Sequence, residues 1–87
     1  MTKIRIKSDW NHGAIMYVLK TRYDQYVKNK AVQPICLYCS SDVGGLYPYA
    51  ICAFAIKRGL RIVFMPTDGK DPWIAFGEEH EEVFGND

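Results

Sequence analysis

The order of strand and helix patterns along this chain predicts a small α/β domain. Strands alternate with helices in the order β-α-β-α-β-(β), which indicates a mostly parallel sheet of three or four strands with two main helices. The chain has 87 residues, enough for one domain, and 48% of them are apolar, which excludes a disordered chain. We therefore expect residues 1–87 to fold as a single domain.

The strand predictions follow from apolar periodicity. Lys3–Lys7 alternates strictly, with isoleucines on one side and cations on the other, which is typical of an edge strand. Ile35–Cys39 and Leu60–Met65 are continuously apolar, as expected for strands covered on both faces. Trp73–Phe76 is a candidate for a fourth, short strand.

The first helix is predicted at Ala14–Lys30, where apolar residues recur at helical spacing and charges occupy the other face. Ser8, Asp9 and Asn11 are the three candidates for its N-cap. In this arrangement the polar residues before the helix form a loop at the end of the first strand.

The second helix is predicted at Leu46–Arg58 and is apolar on nearly all sides. Pro48 suits its first turn, and Gly59 suits the position just past its end. The segment Ser40–Gly45, which precedes it, is rich in small residues and is predicted to be a loop.

Charge is distributed unevenly along the chain. Residues 1–61 contain ten basic and three acidic residues, whereas residues 62–87 contain one basic and seven acidic residues. A basic body with an acidic tail favours a polyanionic partner for the body or a basic protein partner for the tail.

Nucleic acid is the partner that the cations favour, and RNA or a single strand more than a duplex, because no helix has the Arg-rich character of a duplex reader. The tyrosines and tryptophans offer stacking surfaces for unpaired bases. The alternative interpretation is that the cations are ordinary solvated residues and the aromatics are core. The predicted nucleic-acid-binding residues are Lys3, Arg5, Lys7, Lys20, Arg22, Lys28, Lys30, Arg58 and Arg61.

A second hypothesis is a site for a phosphate or nucleotide ligand in the loop before the second helix, where backbone N–H groups can bind an anion. Its candidate residues are Ser40, Ser41, Gly44 and Gly45. The sequence here is neither a P-loop nor a dinucleotide-binding motif. A strand-to-helix turn capped by Ser41 or Asp42 explains the same residues without a ligand.

The strand–Gly-Gly–helix–Gly–strand layout of Ile35–Pro66 resembles nucleotide-binding Rossmann-like domains such as the lysine-decarboxylase-like family. The resemblance covers only this part of the chain, and none of that family's catalytic residues can be matched. It implies nucleotide binding at most.

Cys36 and Cys39 have the spacing of a metal or redox motif, but an offset of three in a strand puts them on opposite faces. We therefore expect buried free thiols and no metal or cofactor. Cys52 lies in the second helix and is expected in the hydrophobic core of the domain.

His12, combined with Asp9 and Ser8 or with Ser40 or Ser41 at a neighbouring strand end, is the best candidate for a small hydrolytic site. The catalytic residues are too few, however, to predict an enzyme.

The acidic segment 78–87 includes Phe84. One interpretation is a solvated helix that Phe84 anchors to the domain. The other is a segment that docks onto a basic protein surface. The sequence thus favours a small non-enzymatic regulatory protein, such as a phage-type inhibitor of a nuclease or defence system, or an antitoxin.

No apolar stretch reaches the ~20 residues of a membrane span, and the N-terminus lacks a signal sequence. We therefore expect a cytoplasmic protein.

Overall fold

The computed structural model describes residues 2–29, 34–69 and 71–79. Its strands and helices follow the predicted alternation, and the fourth strand is present. The elements are β1 (Ile4–Arg5), α1 (His12–Asn29), β2 (Ile35–Ser40), α2 (Ser41–Leu46), α3 (Pro48–Arg58), β3 (Arg61–Met65) and β4 (Trp73–Glu78).

The four strands form one mixed sheet in the order β1-β4-β2-β3, so the prediction of a mostly parallel sheet is wrong. Only β2 and β3 pair in parallel, and β4 runs antiparallel to both of its neighbours. The reason lies in the connection from β3 to β4, residues 66–72. A parallel return needs a crossover of about a dozen residues or more, and this segment is shorter. The edge position predicted for the first strand is confirmed.

Both long helices pack on the same face of the sheet. The connections β1–α1–β2 and β2–α3–β3 step across the sheet in the same direction, and right-handed crossovers then place both helices on one side. Ile15 and Leu19 of α1 and Ile51 and Phe54 of α3 are buried in one cluster with Leu37 of β2. The result is a helical layer on a sheet.

The other sheet face has its own buried cluster, so β2 is buried along its whole length as the sequence predicted. The members of this second cluster are Cys36, Tyr38, Met65, Trp73 and Ala75. The Tyr38 hydroxyl lies 2.6 Å from the carbonyl oxygen of Glu78 and donates a hydrogen bond to it. This bond ties the middle of β2 to the end of β4.

The ends of α1 and α3 follow the predicted capping. The side-chain oxygen of Asn11 accepts a hydrogen bond from the N–H of Ala14 at 2.9 Å, so Asn11 caps α1. Pro48 occupies the first turn of α3. Gly59 ends this helix with φ at 65°, the left-handed region that favours glycine.

The predicted loop Ser40–Gly45 and the single helix after it are both corrected. Ser41–Leu46 forms the short helix α2, and a separate helix begins at Pro48. The break falls at Tyr47, whose φ is −132°, because the residue before a proline is driven out of the helical region. A Cβ at Gly44 would lie 2.6 Å from the ring of Phe64, so a side chain there would require this ring to move.

Lys30 and the acidic segment from residue 80 onward lie outside the described residues, and so do the predictions made for them. Within the described parts of the chain, no helix has the length and apolar character required to cross a membrane.

Candidate binding surface on the helical layer

The predicted basic residues are divided among separate parts of the fold. Lys3 and Arg5 belong to the β1 segment, where Lys3 Nζ lies 4.6 Å from the centre of the Trp73 ring. Arg5 donates hydrogen bonds to both carboxylate oxygens of Asp68, at 3.0 and 2.9 Å, and these bonds raise the pKa of Arg5. Lys3 Nζ is also 3.6 Å from Asp68. Both cations therefore contact the same carboxylate, which offsets one of their two positive charges.

Other cations are dispersed as well. Arg61 lies 3.6 Å from a carboxylate oxygen of Glu79. Lys20 and Arg22 are two residues apart on α1, so they project about 200° apart around the helix axis. Lys7 and Lys28 are exposed, one before α1 and one in its last turn. Among the described residues, Lys3, Arg5 and Arg61 thus form ion pairs within the chain.

Two of the predicted residues, Lys20 and Arg58, lie at the same place in the fold, together with Lys57. They line a groove of about 390 Å³ between α1 and α3. The groove combines these cations with apolar walls, formed by Gly13, Met16, Tyr17, Ala53 and Phe54. It is thus an amphipathic cleft on the outer side of the helical layer.

The groove follows from how α1 and α3 pack side by side. At one end the rings of His12 and Tyr49 lie 5.5 Å apart. Farther along, the Arg58 guanidinium lies 4.0 Å from the centre of the Phe54 ring and 5.5 Å from that of Tyr23. Cation–π attraction at these distances holds the Arg58 side chain over the aromatic rings.

Large apolar side chains of both helices remain exposed to solvent. Tyr17 of α1 is 71% exposed, and Tyr49 and Ile56 of α3 are 75% and 80% exposed. Tyr49, Ala53 and Ile56 are spaced at i, i+4 and i+7, which aligns them along one side of α3. We call the surface formed by Tyr17, Tyr49, Ala53 and Ile56 with Lys20, Lys57 and Arg58 the helical docking face.

Sequence reasoning missed this surface, although a signal for it was present. Pro48–Arg58 is apolar on nearly all sides, but a helix that packs on one side of a single sheet can bury only part of its circumference. An all-round apolar helix in so small a domain leaves an apolar side in solvent. Which side is exposed depends on the packing against the sheet.

The residues of the predicted anion site make bonds within the chain. Ser40 is fully buried, and its hydroxyl oxygen accepts a hydrogen bond from the N–H of Trp73 at 3.0 Å. Asp42 accepts one from the Thr67 hydroxyl at 2.8 Å. Hydrogen bonds from Ser40, Thr67 and the first N–H groups of α2 lower the pKa of Asp42. A carboxylate therefore lies at the start of α2, beside exposed Ser41, and disfavours a second anion there.

Cys36 and Cys39 lie in the two opposite clusters of the sheet, which confirms the predicted separation of their side chains. Burial raises the pKa of Cys36, and it raises the pKa of Cys39 to about 12. Cys52 is exposed on α3, so its predicted place in the core is wrong. No group of three or more potential metal ligands occurs among the described residues.

We expect the three thiols to react very differently. In the folded protein at pH 8, 5,5′-dithiobis(2-nitrobenzoate) should modify Cys52, because only an accessible thiolate attacks the reagent. Cys36 and Cys39 should react only after denaturation. A Cys52→Ser variant should therefore show no fast reaction, and rapid modification of more than one thiol in the native protein would contradict this assignment.

Of the hydrolytic pairings predicted for His12, the one with Ser40 combines an exposed and a buried side chain. His12 is exposed beside the Tyr49 ring, while the Ser40 hydroxyl is buried against Trp73. His80 lies outside the described residues.

No protein-family model, curated protein or solved structure matches this chain. In the described residues, this α/β protein has an amphipathic cleft between the two long helices that pack on one face of its mixed sheet.

Proposed function

We propose that this protein is a small, non-enzymatic regulator that binds an acidic, amphipathic segment of a protein partner on its helical docking face. The groove between α1 and α3, with apolar walls and three cations, is the observation that carries the proposal. A protein of this size that acts by covering a partner surface fits the inhibitor or antitoxin class expected from the sequence.

Charge complementarity favours an acidic partner. Lys20 on α1 and Lys57 on α3 contribute to the two walls of the groove, and Arg58 joins them. Helix α3 contains no acidic residue, and α1 contains only Asp24. Carboxylates of a partner between these like charges would relieve their repulsion, so electrostatics selects the partner and orients it.

The apolar residues favour a protein partner over a nucleic acid. Ile56 and Ala53 are aliphatic and can be covered by apolar side chains, whereas phosphates and sugars gain little from them. Exposed Tyr17 and Tyr49 suit either partner, since they can stack on bases or form the aromatic part of a protein interface. Binding of RNA or a single strand by the basic residues remains the competing hypothesis.

The experiment is a selection of 16-residue peptides from a random display library against the folded protein. We expect enriched peptides to combine acidic residues with apolar residues at helical spacing. Their affinity should fall at least about tenfold in a Lys20→Glu, Lys57→Glu variant, because each reversal replaces an attraction by a repulsion. Lys28→Glu is the matched control, since Lys28 is exposed on α1 but does not line the groove.

The competing hypothesis is tested in parallel by anisotropy with a labelled single-stranded RNA across a salt series. Tight RNA binding with a steep salt dependence, together with no enrichment of acidic peptides, would overturn the proposal in favour of nucleic acid. Enriched peptides that bind the charge-reversed variant as well as the wild type would also overturn it.

A further inference from the structure

The two edges of the sheet are protected very differently. At one edge, β1 is only two residues long and is accompanied by Lys3 and Arg5. Short length and charge are devices that discourage pairing with another strand. At the other edge, β3 has five residues with the sequence RIVFM, and Arg61 at its start is its only charge. Among the described strands, β3 pairs with β2 alone.

The side chains of β3 are incompletely covered. Ile62 and Phe64 lie opposite Leu37 and Cys39 of β2, so they belong to the helical face of the sheet. Phe64 is 50% exposed although it packs close to Gly44. An apolar edge strand with a half-exposed aromatic ring is a template for a further strand.

We propose that a second copy of this chain pairs with β3 in antiparallel register centred on Val63, which joins the two sheets into one of eight strands. This pairing is independent of the helical docking face and goes beyond the proposed function. On the helical face, Ile62 would then lie opposite the partner's Phe64, and Phe64 opposite the partner's Ile62. The exposed half of each ring would be covered by a β-branched side chain.

Charge explains why a second copy fits. In this register Arg61 lies opposite the partner's Met65, so the two arginines are at opposite ends of the paired strands, about 13 Å apart along the strand direction. Each arginine also has Glu79 of its own chain 3.6 Å away. No like charges therefore meet across the pair. Because the charged β1 edges resist extension, the assembly closes as a dimer with two-fold symmetry.

Sedimentation equilibrium of the full chain from about 10 to 500 μM tests the proposal, and we expect a dimer over the upper part of this range. Phe64→Lys should raise the dimer dissociation constant at least about tenfold. Tyr17→Lys is the matched control, because it places the same charge on the helical docking face and should leave the dimer unchanged. Circular dichroism verifies that both variants are folded.

A cross-link provides a second measurement that does not depend on destabilising the strand. Val63→Cys in a Cys52→Ser background should form an intermolecular disulfide on mild oxidation, because residues directly opposite in an antiparallel pair have Cα atoms 4.5–5.5 Å apart. A wild-type chain that stays monomeric at 500 μM overturns the proposal. So does a dimer that survives Phe64→Lys or that gives no cross-link at position 63.

Discussion

Phe54→Ala should lower the free energy of unfolding by about 3–5 kcal/mol, the cost of removing a buried aromatic side chain and leaving a cavity. Phe54 is 1% exposed and lies between the helical layer and the sheet. Its ring is 5.7 Å from that of Tyr23 in an edge-to-face arrangement and 6.0 Å from that of Phe76. The substitution thus breaks an aromatic cluster that joins α1, α3 and β4.

The loss should be severe because domains of this size have little stability to spare. Folded proteins are typically stable by only about 5–15 kcal/mol, and small domains lie toward the lower end. The Arg58 guanidinium, now 4.0 Å from the Phe54 ring, would also lose the surface that orients it. The variant should therefore have both a weaker fold and a less ordered groove.

Urea denaturation followed by circular dichroism measures this effect. Tyr49→Ala is the matched control, because it removes an aromatic ring from the same helix at a position that is 75% exposed. We expect the control to change stability by no more than about 0.5 kcal/mol. Equal losses in the two variants would show that Phe54 is not the buried anchor of the helical layer.

Ser40→Ala should lower the free energy of unfolding by about 1–3 kcal/mol, although it removes only one oxygen atom. The Ser40 hydroxyl accepts the hydrogen bond from the Trp73 N–H at 3.0 Å, and both residues are buried. Alanine would leave that N–H without its acceptor at the start of β4. The cost is that of a buried donor with no partner, which exceeds the usual net value of one hydrogen bond.

Hydrogen exchange gives a local measurement beside the global one. We expect the Trp73 amide to exchange faster in Ser40→Ala than in the wild type, because its protecting hydrogen bond is gone. Ser41→Ala is the matched control, since Ser41 is exposed and differs from Ser40 by one position. An unchanged stability together with an unchanged Trp73 amide would contradict the structural role assigned to Ser40.

The role of Ser40 in the structure therefore differs from the anion-binding role that its sequence context predicted. Ser40 follows a strand and precedes two glycines, a context in which an anion site is a reasonable hypothesis. Its partner, Trp73, is 33 positions away along the chain. Local sequence cannot reveal that a hydroxyl at this position serves as the acceptor for a distant strand.

Local sequence patterns were sufficient to predict the main helices and strands. The long amphipathic helix, the buried strand from Ile35 and the cap at Gly59 depend on periodicity and on the backbone preferences of single residues, which act over a few positions. The opposite placement of Cys36 and Cys39 follows from the alternation of a strand in the same way. These features lie within the reach of sequence because their causes are local.

Strand order and the binding surface were decided only by the tertiary structure. The sequence determined that Trp73–Phe76 is strand-like, but its insertion between β1 and β2 depends on contacts with residues more than 30 positions away. Likewise, the sequence determined that α3 is apolar almost all round, while packing on the sheet selected Tyr49 and Ile56 for exposure. Packing also brought Lys20 to Lys57 and Arg58 and separated them from Lys3 and Arg5. The physical reason is that side-chain type is encoded locally, whereas burial and charge grouping depend on which distant segments meet.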